Sequence, residues 1–224
     1  MSKILLIHGS SIGATYSFLR GDRTADGGFC VFRESILMGD ISLLSWYLKK
    51  QHFTFLQSIN PWTTAKLYLQ EREQIQGQVN IAKLESKLKA DNPQIIVAHS
   101  LGCHYLLNYL NSKGLPSSVT RICLINNAAP HTLDLSNQQI IERIQAGSLV
   151  IDNYFFFWDL TLLSSTLLTR QFCGGILGSR SPYIHNHFKF IPSFGNWHNT
   201  LIENDWLKSA LDNQIKLANH RDIN

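Results

Sequence analysis

The sequence predicts an α/β protein: a mostly parallel sheet of about six strands, with helices on both faces. Three observations carry this. Short apolar runs recur along the chain, each apolar enough to be covered on both sides. Longer segments of helical periodicity separate them. The length of 224 residues, with 44% hydrophobic and only 16% charged composition, suits a single domain over residues 1–224 with a substantial core and argues against disorder.

Taken in order, Lys3 to His8 reads as the first strand through Ile4-Leu5-Leu6-Ile7, a run too short for the core of a signal peptide. The segment from Gly13 to Gly39 has no clear period and clusters Gly21, Gly27 and Gly28. It is expected to be a long loop leaving the carboxyl end of the first strand, placed to border the substrate or to close over it as a lid. Asp40 is expected to cap a helix through Leu43-Leu44-Ser45-Trp46-Tyr47-Leu48, followed by a strand from Phe53 to Ser58. A helix from Thr64 to Lys89 follows, with a break near Gly77, and its Ile81, Leu84 and Leu88 recur at helical spacing. Further strands are expected at Gln94 to Ala98, Arg121 to Asn126, Leu149 to Phe156 and Phe188 to Ile191. A last helix presents Leu207, Ala210 and Leu211 to the core.

The most specific stretch is Ala98-His99-Ser100-Leu101-Gly102, between the apolar run Gln94-Ile95-Ile96-Val97 and the helical pattern Cys103 to Leu110. A strand, a sharp turn carrying serine and a helix make a nucleophile elbow, where small residues two before and two after the serine let strand and helix approach closely. Glycine is usual at both small positions. Ala98 keeps the small volume with less backbone freedom. The plainer reading, that Ser100 caps the helix, is the alternative.

A serine nucleophile needs a base, a carboxylate to orient the base, and N–H donors for the oxyanion. His198, between the last strand and the last helix, is the candidate base, because a loop there shares the carboxyl edge of the sheet with Ser100. His185 and His187 are expected ahead of the last strand, at its far end. His104 falls on the helix after Ser100, where packing is the plainer role. Asp159, just past the fifth strand, is the candidate orienting acid, with capping of a helix through Leu160-Thr161-Leu162-Leu163 as the plainer alternative. Asp134 is second choice, and Asp152, in the strand, is expected to be structural. The oxyanion donors would be the backbone N–H groups of Leu101 and of Ser10, in His8-Gly9-Ser10-Ser11.

With these residues in place the chain resembles the α/β-hydrolase superfamily, through Ile7-His8-Gly9-Ser10, the elbow at Ser100, and the order Ser100, Asp159, His198. It looks closest to compact bacterial members that lack the first strands and the large cap of bigger relatives. The resemblance implies a hydrolase acting through an acyl-enzyme: Ser100 attacks an ester-like carbonyl, His198 shuttles the proton and Asp159 holds the imidazole. It implies no cofactor and no metal. Ester, thioester and amide substrates stay open, as does a non-catalytic binding protein on the same fold.

Other classes are disfavoured. A net charge of +4 with dispersed lysines and arginines offers no track for nucleic acid. The apolar region from Leu149 to Leu168 is interrupted by Asp152, Asn153 and Asp159, so no membrane span is expected, and a cytoplasmic location follows by default. Cys30, Cys103, Cys123 and Cys173 lack metal-type spacing and read as reduced. His185-Asn186-His187 has no third ligand nearby, so no metal is assigned. The partner expected is a small ester-like molecule; nothing in the sequence marks the oligomeric state.

Overall fold

The computed structural model describes residues 4–10, 29, 32–44, 61–189 and 209. Among these, β1 (Ile4–Ile7), β2 (Ile41–Leu44), β3 (Ile95–His99), β4 (Arg121–Ile125), β5 (Val150–Phe155) and β6 (His185–Phe188) form one sheet in the order β2-β1-β3-β4-β5-β6. Every neighbouring pair is parallel. Parallel neighbours need crossover connections, and helices supply them here. The described helices are α1 (Arg33–Leu37), α2 (Pro61–Gln74), α3 (Gln78–Asp91), α4 (Leu101–Ser112), α5 (Gln138–Gln145), α6 (Leu160–Thr169) and α7 (Gly174–Leu177). The fold is α/β, as the alternation of apolar runs and helical segments predicts.

The strand order fixes where a ligand would sit. From β1 the chain moves outward to β2, then returns across β1 to lay down β3 on the other side. The carboxyl ends of β1 and β3 therefore flank the crevice where a parallel sheet reverses direction, and the turns leaving them carry Gly9-Ser10 and Ser100.

Alternation along the strands sorts two cores. Leu5, Ile7, Ile96, Ala98, Ile122, Leu124 and Ile151 face one way, against Leu84 and Leu88 of α3 and Leu106 and Leu110 of α4. Ile4, Leu6, Val97, Cys123 and Ile125 face the other, with Phe29, Phe32 and Ile36 of α1. Each fully buried Leu or Ile contributes about 1.5–3 kcal/mol, so the strands beside the crevice, β1 and β3, are held firmly from both sides.

The structure corrects three boundaries. Ile41–Leu44, expected inside a helix starting near Asp40, is instead the edge strand β2, in register with Ile4–Ile7. Four residues, three apolar and one serine, are too few to show a period, and pairing with the buried β1 decides it. The expected loop from Gly13 to Gly39 contains α1. The last described strand begins at His185, not Phe188, so His185 and His187 lie within it. Polar cross-strand contacts hold that strand. His187 Nε2 lies 2.8 Å from Asp152 Oδ1 and its ring stacks on Tyr154 at 4.9 Å, while Asn153 Nδ2 donates to Asn186 Oδ1 at 2.9 Å.

The long helical segment breaks at Gly77, which caps α3. Cys103, Cys123 and Cys173 are buried free thiols. The strand expected at Phe53 to Ser58, the face expected of Leu207, Ala210 and Leu211, and Cys30 lie outside the described residues. No described helix is long and apolar enough to cross a membrane.

Candidate active site

Ser100 joins β3 to α4 with φ 53° and ψ −123°, a combination that L-residues rarely adopt. Such a conformation costs about 1–3 kcal/mol and persists only where surrounding bonds over-determine it. They do so here. The Ser100 N–H donates to the Ile125 carbonyl at 2.9 Å, and the Ser100 carbonyl accepts from Cys103 N at 3.0 Å and Ala128 N at 3.1 Å. Ser100 sits at the N-cap position of α4 yet its side chain makes no capping hydrogen bond. The plain capping reading is therefore not what the structure contains. The residue is buried, 4% exposed, so chemistry at its hydroxyl would proceed away from bulk water.

The small residues of the motif are explained by what touches them. A Cβ at Gly102 would fall against the His8 carbonyl oxygen and 2.8 Å from that of Ile7. A Cβ at Gly9 would lie 2.8 Å from the Cβ of Ser100. The turn after β1 is thus pressed onto the elbow from above, and glycine at both positions makes that approach possible. Ala98 sits in register with Ile7 and Leu124, buried in the sheet, and its carbonyl accepts from the Cys103 thiol at 3.1 Å. Burial pushes that thiol well above its ordinary pKa, which leaves Cys103 an inert core residue.

Two histidines flank the elbow and both are held neutral. His8 donates from Nδ1 to the Gly9 carbonyl at 2.8 Å and shapes the turn; burial lowers its pKa to about 4. His104 on α4 is lowered to about 4 as well, by burial first and then by the charge of Arg72. A ring at about 4 is a poor general base at neutral pH, which fits His104 as a packing residue. In the unfolded chain these rings take protons near pH 6.5, whereas in the folded chain they resist until about pH 4. Their contribution is therefore complete above pH 6.5 and lost as the pH falls from 6.5 to 4, at about 3 kcal/mol per ring. Urea unfolding midpoints measured from pH 7 to 4 should fall steeply across that window, and a flat profile there would contradict the neutral, buried assignment.

Asp159 is fully buried in the turn after β5 and starts α6, where its Oδ1 accepts from Leu162 N at 3.0 Å. The capping role foreseen for it is present. A carboxylate has two oxygens and about four acceptor positions, so a cap bond leaves capacity for orienting an imidazole. His198 lies outside the described residues. Asp152 is structural, lying 3.2 Å from Arg121 Nε and 2.8 Å from His187 Nε2. Asp134 is exposed and accepts from Ser181 Oγ at 2.5 Å and from Leu135 N at 2.8 Å.

The sequence reading missed α2's part in this site. Glu71 is buried on the face of α2 that also buries Leu67 and Tyr68, just ahead of the buried Ile75 that follows the helix, and its carboxylate accepts the Ser10 hydroxyl. Tyr68 accepts from Ser165 Oγ of α6 at 2.6 Å. An acid at helical spacing within an apolar stripe was the available signal. The partner, 61 positions earlier, was not legible.

A family model described as serine hydrolase matches residues 57–152, a stretch that runs through α2, the elbow and β4. Comparison with curated proteins gives no match. Over residues 57–152 the chain is similar to the serine hydrolases, and the six-stranded parallel sheet that carries this stretch is α/β-hydrolase-like.

Proposed function

We propose that the protein is a serine hydrolase that cleaves a carboxylic ester or thioester through an acyl-enzyme. Ser100 is the nucleophile, His198 the general base and acid, and Asp159 the carboxylate that orients the imidazole. The observation that carries this reading is the backbone of Ser100, strained at φ 53° and roofed by Gly9 at the crevice between β1 and β3. The serine hydrolase match over residues 57–152 supports it at the level of the reaction class.

In this mechanism the Ser100 hydroxyl attacks the carbonyl carbon while His198 takes its proton. The resulting oxyanion accepts from the N–H of Leu101, in the first turn of α4 where no intrahelical acceptor exists, and from the N–H of Ser10. Collapse breaks the bond to the alkoxide or thiolate, which leaves with the proton from His198. Water, deprotonated by the same imidazole, then releases the acid and restores the serine. An amide would need more help at its leaving nitrogen, which favours the ester or thioester.

A fluorophosphonate probe tests this directly, because it phosphonylates a serine only where a base and an oxyanion site are assembled. Wild type should label rapidly, and His198→Ala should label at least about 10³-fold more slowly. Folded wild type that fails to label would leave a binding protein on the same fold as the better account. Esters and amides of graded acyl length, assayed in turn, then fix the substrate class.

A further inference from the structure

Glu71 is 4% exposed on α2, and its Oε2 accepts the hydroxyl of Ser10. Ser10 belongs to the turn whose Gly9 lies over the Ser100 Cβ. Desolvating a carboxylate is costly, and packing on that stripe would be served as well by leucine or methionine. The same helix is fixed at a second place. Tyr68 accepts from Ser165 at 2.6 Å, and Arg72 donates to Gln171 Oε1 at 2.6 Å, tying α2 to the segment that opens at the Asp159 cap.

We infer that Glu71 is a positioning residue for the oxyanion loop: by fixing the Ser10 hydroxyl it fixes the orientation of the Ser10 peptide N–H, and α2 straps that loop to α6. The chemistry of the pair explains the choice of residue. The Ser10 hydroxyl donates to a carboxylate oxygen, which fixes that rotor in a turn whose Gly9 lies over the Ser100 Cβ. A negative charge there would work against a nearby oxyanion. Acceptor geometry is therefore the useful property, and glutamine can supply it.

This inference rests on the roles proposed for Ser100 and Ser10, and the experiment separates the two. Active sites are titrated with the fluorophosphonate, and turnover of p-nitrophenyl butyrate is then measured per titrated site. Glu71→Ala and Ser10→Ala should each lower kcat by roughly 10- to 100-fold, with KM changed by less than about threefold, as for a misplaced oxyanion donor. The double variant should be no slower than the slower single one, because both break one contact. Glu71→Gln should return to within about threefold of wild type, a rescue that a purely charge-based role would not give.

Wild-type turnover per titrated site in Glu71→Ala, penalties that multiply in the double variant, or a glutamine variant as slow as the alanine one would each overturn the inference. Should Glu71→Ala not fold, Ser10→Ala carries the test alone, and an unchanged kcat there overturns it. Wild type that does not label at Ser100 sinks the serine hydrolase reading itself, whereas labelled wild type with indifferent Glu71 variants sinks only this contact.

Discussion

Ser100→Ala is expected to abolish fluorophosphonate labelling and to lower ester turnover by at least about 10⁴-fold while leaving the fold intact. The magnitude follows from losing the atom that forms the covalent intermediate; what survives is binding and oxyanion stabilisation acting on bulk water. The folding cost should be small. Ser100 makes no side-chain cap bond, and the bonds that hold its strained backbone come from its own N–H and carbonyl, which alanine keeps. Circular dichroism and a thermal melt close to wild type, together with loss of labelling, would establish the hydroxyl as the reacting group. Labelling that persists in the variant would place the nucleophile elsewhere and end the assignment.

Gly102→Ala is expected to be the most damaging small substitution for stability. Alanine in a helix gains up to about 1 kcal/mol over glycine in propensity. Against this, the new methyl would collide with the carbonyls of His8 and Ile7, which belong to rigid backbone at the end of β1. Overpacking costs about 1–3 kcal/mol, and against backbone that cannot give way the upper end applies, so the overlap wins and the urea midpoint should fall. The displaced turn would also lift Gly9 from Ser100 and slow labelling of whatever remains folded. Gly114→Ala is the control: its Cβ would meet only the tip of the exposed Gln139 side chain at 3.0 Å, and a change under about 0.5 kcal/mol is expected. A Gly102→Ala protein as stable as wild type would mean that the turn after β1 is not seated on the elbow.

How much of this was legible in the sequence depends on how local each signal is. The elbow was readable because strand, small residues, serine and helix are contiguous, and a pattern of that length carries its own structural context. The break at Gly77 and the cap at Asp159 were readable for the same reason. The strand Ile41–Leu44 was not, since an apolar run beside Trp46 and Tyr47 fits helix or strand until β1 is laid alongside it. The start of β6 was hidden because His185, Asn186 and His187 lack an apolar face; Asp152, Asn153 and Tyr154 on the neighbouring strand make them a strand. The Ser10–Glu71 contact was beyond reach altogether. Nothing near either residue announces a partner on a distant element, and only the folded arrangement brings them together.

The paired acceptance at the Ser100 carbonyl, from Cys103 on its own helix and Ala128 beyond β4, has a thermal consequence. The serine's pose is locked to the central strands and the buried elbow helix, so no early, separate loosening is available to it. Exchange of the Ser100 and Ala128 amide hydrogens should therefore stay slow on warming until the central sheet melts, and then rise in the same cooperative step.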